Sequence, residues 1–236
     1  MKSHVLVDHD NVDSLQRSHG LAMFARRVHA SLVSDNPQID EIQIRLYGGW
    51  YDLQGLTQRG TQLAQEIASS FPLLFASNRR ISCRVFCEIA SALAVAPADL
   101  LLHTFRKRSG MRSRLTISPN VNCANPASCT LNAVAAWSMR QGICPQAGCM
   151  VTARDAFLFD EQKLVDTLLC CDILTFASGP SSSPVYVASD DDDLIPALLL
   201  GSKQGGRVRI LKERTRVRQT AYAPLLSQYN VHEILL

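Results

Sequence analysis

The chain has 236 residues, 47% of them hydrophobic and 19% charged, with a formal net charge of +3. That length and apolar content suit one domain with a substantial core and exclude a disordered chain. No run approaches the roughly 18 to 20 uncharged apolar residues that would cross a bilayer, and Asp8 comes too early for a secretory leader, so a soluble, cytoplasmic protein is expected.

In chain order, Val5-Leu6-Val7 reads as a buried strand ending in the polar loop Asp8-His9-Asp10-Asn11. From Val12 to Val33 apolar residues recur at helical spacing, with Gly20 weakening the middle. Ile42, Ile44 and Leu46 alternate as in a strand that breaks at Gly48-Gly49; Leu56 to Ser70 reads as a helix and Ile81 to Phe86 as a strand. Residues 97–155 differ: a basic run and an Asn/Pro/Cys-rich stretch with little periodicity, expected to be an insertion within a single domain spanning 1–236. Regularity returns with a helix from Gln162 to Asp172, a strand over Val185 to Ala188 and a helix from Leu194 to Lys203 stopped by Gly205-Gly206. A strand at Val208 to Leu211, a helix at Ala221 to Gln228 and a strand at Val231 to Leu235 close the chain. Alternating strands and helices predict an α/β fold, a mainly parallel sheet with helices on both faces.

Charge is unevenly spread. Arg106, Lys107, Arg108, Arg112 and Arg114 form one basic cluster, and Arg207, Arg209, Lys212, Arg214, Arg216 and Arg218 another. Either alone reads equally well as solvated surface. Around an acidic focus they suit a polyanion held while a cation acts on it. That focus stands at two strand ends, where open parallel sheets collect their function: Asp8 and Asp10 after the first strand, Asp190, Asp191, Asp192 and Asp193 after a later one. Lys163 and Asp166, three apart, would share one face of the helix between them. Clustered carboxylates repel unless a cation neutralises them, and oxygen-only ligands select Mg²⁺ or Mn²⁺. The plainer reading of the acidic run is a cap for the following helix, for which one Asp suffices.

These residues resemble the NYN family, relatives of the PIN-domain nucleases. Val5-Leu6-Val7-Asp8-His9-Asp10-Asn11 is similar to its opening strand and Asp-x-Asp-Asn loop, and Arg45-Leu46-Tyr47-Gly48-Gly49-Trp50 to its second strand. Lys163-Leu164-Val165-Asp166, with Asp172 beyond, resembles its Lys-x-x-Asp helix. Ser189-Asp190-Asp191-Asp192-Asp193-Leu194-Ile195-Pro196 resembles its Ser-Gly-Asp-x-Asp block. His9 and Asp190 stand where the family usually has glycine. The resemblance implies a PIN-like, three-layer α/β/α domain, and a metal-dependent endoribonuclease acting on single-stranded RNA with Mg²⁺ or Mn²⁺. It implies Asp8, Asp166, Asp191 and Asp193 as the catalytic, metal-binding set. Asn11 is expected to orient the first loop or touch substrate, and Lys163, with Arg214, Arg216 and Arg218 of the second basic cluster, is expected to hold RNA. A second copy or another protein is a further partner; no membrane is expected. Two alternatives stand: a catalytically silent NYN domain that binds RNA or protein, and a haloacid-dehalogenase-type phosphatase using Asp8-x-Asp10.

The eight cysteines, without a secretory frame, favour reduced thiols or a metal site over disulfides. Cys123, Cys129, Cys144 and Cys149 form a tetrahedral Zn²⁺ site within the insertion, or are four unlinked thiols. Cys83 and Cys87, four apart as on one helix face, and Cys170-Cys171 read as small buried hydrophobes. Trp50 and Tyr51 suit either base stacking or core packing, and His29, His103 and His232 lack partners at metal spacing. If the four cysteines hold zinc, elemental analysis will find about one equivalent per chain, since structural sites bind tightly near neutral pH. Cys144→Ser will lower it, whereas a zinc-free protein with four freely alkylated thiols removes the site.

Overall fold

Val5, Leu6 and Val7 are all buried, an unbroken run that a strand shows when both faces of its sheet are covered. In the computed structural model they form the middle of β1 (Lys2–Asp8). The structure describes residues 1–11, 19–52, 55–76, 82–95, 99–102, 104–109, 130, 148–152, 158–178, 183–212 and 220–236. After β1 come α1 (Leu21–Asp35), β2 (Glu41–Tyr47), the antiparallel pair β3 (Tyr51–Asp52) and β4 (Gly55–Leu56), α2 (Gln58–Ser70), β5 (Leu73–Ala76) and β6 (Ser82–Ile89). Then follow β7 (Phe105–Ser109), β8 (Leu158–Gln162), α3 (Val165–Ala177) and β9 (Val185–Ala188). A 3-10 turn (Asp192–Leu194) leads into α4 (Ile195–Lys203), and β10 (Val208–Lys212), α5 (Ala223–Gln228) and β11 (His232–Leu235) end the order.

The chain divides into two compact units, Met1–Thr104 with Gln162–Leu236, and Phe105–Glu161. The second is described chiefly through β7 and β8, which pair with each other. In the first, the described strands form a seven-stranded sheet ordered β11-β10-β9-β1-β2-β6-β5, parallel except where β5 meets β6. The chain builds outward from β1 through β2 to β6, then returns to the other side of β1 with β9 and builds outward again. That reversal falls between β1 and β9, and open α/β sheets bind ligands beyond the carboxyl ends of the strands at such a point.

Alternate residues of each strand serve opposite faces. Val5, Val7, Ile42, Ile44 and Val85 pack with Phe24, Val28 and Leu32 of α1 and Leu63 of α2. Leu6, Val185, Val187 and Ile210 pack with Leu169 and Ile173 of α3, Leu198 of α4 and Leu226 of α5. Helices therefore cover both faces, compatible with a three-layer α/β/α arrangement. No helix among the described residues is long and apolar enough to cross a membrane.

Several expected elements shift, for physical reasons. Of the helix expected from Val12 to Val33, residues 12–18 lie outside the described residues; α1 starts at Leu21 with Gly20 as its N-cap at φ 81°, a conformation glycine takes at little cost, and the N–H of Leu21 is met by Glu66 of α2 at 2.5 Å. The helix expected from Leu56 begins at Gln58, because Thr57 caps it and accepts the Gly60 N–H at 3.1 Å. Gln162 and Lys163 do not belong to α3; Gln162 ends β8, Leu164 turns with φ 66°, and α3 runs on to Ala177. Lys163 and Asp166 consequently share no helical face. Cys83 and Cys87 lie on β6, where residues four apart also fall on one side. Trp50 is fully buried and donates from Nε1 to Leu46 O at 2.9 Å, so it is core and not a stacking platform. Its ring explains Gly48, where a Cβ would sit 2.5 Å from Trp50 Cζ2.

A buried polar network joins the sheet to α3. Asp172, 0% exposed, accepts from Tyr47 Oη at 2.6 Å and from the Ala94 N–H at 2.8 Å, and pairs with Arg45 at 3.2 Å. Arg45 also donates to Tyr47 Oη at 3.2 Å and to Ala92 O at 2.7 Å, and pairs with Glu88. Burial, then the Asp172 charge, push the Tyr47 phenol well above its ordinary value, which keeps it a donor. Removing one partner of such a pair leaves a buried charge uncompensated, so Asp172→Ala should cost about 3–5 kcal/mol in urea denaturation. Tyr47→Phe should cost less, about 1–3 kcal/mol. An Asp172→Ala protein as stable as wild type would show that the network does not hold α3.

Candidate functional site

Three acids from three separate elements meet beyond the carboxyl ends of β1 and β9. Asp8 ends β1, Asp166 lies in the first turn of α3 and Asp191 follows β9; one carboxylate oxygen from each lies within 4.8 Å of the others. Register brings the first and last together: Val7 pairs with Ala188 in parallel, so the residues following each emerge side by side.

Asp8 is 3% exposed and firmly held. Its Oδ2 accepts from Asn11 Nδ2 at 2.6 Å and from Ser189 Oγ at 2.9 Å, and its carbonyl accepts the Asn11 N–H at 3.2 Å. Ser189 Oγ in turn accepts the Asp191 N–H at 3.1 Å, so one hydroxyl ties both acidic loops together. Asp191 also caps the 3-10 turn, its Oδ1 accepting the Asp193 N–H at 2.9 Å. The helix-capping reading of the acidic run therefore holds for Asp191, yet a carboxylate has about four lone-pair sites and capping uses one.

The run of four aspartates is sorted by the turn. Asp190 pairs with Lys212 at 2.6 Å and Asp192 accepts from Thr220 Oγ1 at 2.8 Å. Asp190 does not have the positive φ that glycine would favour. Asp193 is exposed and stands outside the mutually close set, although its charge acts on Asp166. Asp10 is not brought into the set either: it pairs with Arg59 and accepts from Gln162 Nε2. Lys163 is exposed, with its N–H donated to Thr104 O at 3.0 Å. Arg214, Arg216, Arg218, Cys123, Cys129 and Cys144 lie outside the described residues, and Cys149 is half-buried. His29 stacks on Phe75 at 4.4 Å and His232 is exposed on β11, away from any metal grouping among the described residues.

Electrostatics follow from this crowding. Burial raises the Asp8 carboxyl above its usual value, against the lowering effect of the Asn11 and Ser189 hydrogen bonds. Asp166 is raised as well, first by burial and then by the charges of Asp8, Asp191, Asp193 and Asp10. One turn further along α3, burial and then Asp166 push the Cys170 thiol up. Among the described residues no Lys or Arg forms an ion pair with Asp8, Asp166 or Asp191. Three hard oxygens, with no nitrogen or sulfur in the set, fit Mg²⁺ or Mn²⁺ by donor chemistry. Oxygens on opposite sides of a Mg²⁺ stand about 4.2 Å apart at bond lengths of about 2.1 Å, a scale comparable to the separation found. Compared with known proteins, the chain matches no family model, no curated protein and no solved structure.

Ser189 ties the two loops together, a role that a lone serine after an apolar strand does not signal in the sequence. Arg59 and Gln162 gave no signal, being single polar residues far from Asp10 in sequence.

The raised carboxyls have a consequence for stability. Asp8 and Asp166 hold protons more tightly folded than unfolded, so without divalent cations their ionised forms cost stability. That cost is absent below the unfolded value of about 4 and is fully present once pH has risen through the folded values. Asp8→Asn escapes it, since the amide oxygen can keep both hydrogen bonds. In EDTA, wild type measured against Asp8→Asn should be least stable at neutral pH and recover as pH falls; saturating Mg²⁺ should remove the deficit. A relative stability that falls with acidification would mean that the Asp8 carboxyl is lowered rather than raised.

Proposed function

We propose that this chain is a metal-dependent endoribonuclease that hydrolyses single-stranded RNA at the Asp8, Asp166 and Asp191 centre. The observation that carries the reading is the approach of three carboxylates from β1, α3 and the turn after β9 with no cationic side chain paired to them among the described residues. The resemblance of the same three positions to the acids of NYN nucleases adds to it. In this reading Asp8, Asp166 and Asp191 hold Mg²⁺ or Mn²⁺, with Asp193 adding negative charge beside them. The cation, when bound, polarises a phosphate and lowers the pKa of water.

The chain's own residues prepare that centre. Asn11 and Ser189 fix the Asp8 carboxylate, so little reorganisation is needed when charge arrives. Burial and the neighbouring acids raise the Asp166 carboxyl, and a ligand must lose its proton to bind, which couples cation affinity to pH. Lys163, Arg214, Arg216 and Arg218 supply positive charge for the backbone of RNA.

The phosphatase alternative is weaker because it needs Asp10 as a mobile acid and base. Here Asp10 is held at one oxygen by Arg59 and at the other by Gln162.

The test incubates labelled single-stranded RNA, single-stranded DNA and a phosphate monoester with Mg²⁺, Mn²⁺ or EDTA. Cleavage of RNA, dependent on cation, is expected. Asp191→Asn should slow it more than about a hundredfold, because loss of a coordinating group exceeds the roughly 10–100-fold cost of losing an outer partner. Asp190→Asn, which disturbs the contact with Lys212, should stay within severalfold of wild type. Equal rates for wild type and folded Asp191→Asn would sink the assignment of that residue. Monoester hydrolysis alone would favour the phosphatase, and RNA binding without turnover the silent domain.

A further inference from the structure

The loop after β1 carries a second set of side chains that the three-acid centre does not use. Asp10 Oδ1 pairs with Nη1 of Arg59, from the first turn of α2, and Asp10 Oδ2 accepts from Gln162 at the end of β8. Arg59 Nη2 donates to His9 Nδ1 at 2.9 Å, and its guanidinium lies 5.5 Å from the Trp50 ring centroid. His9 is itself buried and packed edge-on against Trp50 at 5.2 Å. The guanidinium is therefore gripped at both terminal nitrogens and backed by a buried ring, although the Arg59 side chain is 45% exposed.

An exposed arginine held only for stability gains little from one surface ion pair. This one is held in a fixed orientation beside the acids: His9 and Asp10 directly follow Asp8, and the Asp10 charge reaches Asp166. A guanidinium has five N–H donors in a planar fork suited to phosphate, and the described contacts use one on each terminal nitrogen. A centre of three carboxylates would repel a polyanion wherever its own cation does not screen it, so a fixed positive group at its rim has a task.

We propose that Arg59 forms a phosphate subsite beside the acidic centre, taking the phosphodiester next to the one presented for hydrolysis in single-stranded RNA. Asp10 and His9 are positioning residues that aim the fork. The proposal rests on the nuclease reading above.

The experiment is fluorescence anisotropy with a labelled single-stranded oligoribonucleotide in Ca²⁺, across a series of salt concentrations, on wild type, Arg59→Ala and Arg59→Lys, with melting temperatures measured in parallel. Arg59→Ala should bind about tenfold more weakly or worse, as loss of a charge-assisted contact does. Its slope of log affinity against log salt should fall by about 0.7, the value for one phosphate contact on a single strand. Arg59→Lys, which keeps the charge and loses the fork, should restore the slope but not the full affinity. If wild type binds and Arg59→Ala matches it in affinity and slope, the subsite is overturned while the nuclease reading stands. A weaker Arg59→Ala complex with unchanged slope and a lowered melting temperature also overturns it, by assigning Arg59 a structural role. Wild type that neither binds nor cleaves RNA overturns both.

Discussion

The position of α3 rests on a charge removed from water. Asp172 is fully buried, and an ionised carboxylate survives there only when its oxygens are met by donors and its charge by a cation. Tyr47, the Ala94 N–H and Arg45 meet those needs from β2 and from the segment after β6. Any rotation or slide of α3 would break several of these contacts together. Asp166 sits less than two turns earlier on the same helix, so the network that fixes Asp172 also fixes where Asp166 meets Asp8. Tyr47 is also the register partner of Asp8, and its carbonyl accepts the His9 N–H at 3.0 Å. The deep network and the acid centre above it thus share one strand end.

Sheet connectivity does the remaining work. Because β1, β9 and β10 run parallel, the turns after them open on the same edge. The reversal at β1 sets the ends of β1 and β9 side by side on that edge. Asp8 and Asp191 enter from the strand ends and Asp166 from the helix, which gives three oxygens on three supports. The cost is visible in the raised carboxyls of Asp8 and Asp166. Folding energy supplied by the two apolar clusters on either face of the sheet holds together groups that would otherwise separate.

The turn after β9 sends the members of one acidic run to different neighbours. Side chains of consecutive residues leave the backbone in different directions, so Asp190 and Asp192 reach Lys212 and Thr220 while Asp191 reaches the centre. Asp10 is drawn away from Asp8 by Arg59 and Gln162. Of the four acids in a row, only Asp191 joins the mutually close set among the described residues.

Periodicity and residue chemistry alone determined the α/β class, the strands at Val5-Leu6-Val7, Ile42 to Leu46, Val185 to Ala188 and Val208 to Leu211, and the acids standing at two strand ends, because apolar runs and the polar residues that end them are local signals. Short or edge elements carry no such signal: β3 and β4 are two residues each, and β5 leaves Leu74 exposed at the sheet margin. Helix starts at Leu21 and Gln58 depended on Gly20 and Thr57 acting as caps rather than as passing residues. Only the tertiary structure decided which acids meet, that Trp50 is core, and that Arg59 closes on Asp10 across 49 residues of sequence. Those outcomes depend on strand order, register and the direction in which each side chain leaves its backbone, and none of the three is written in a local pattern.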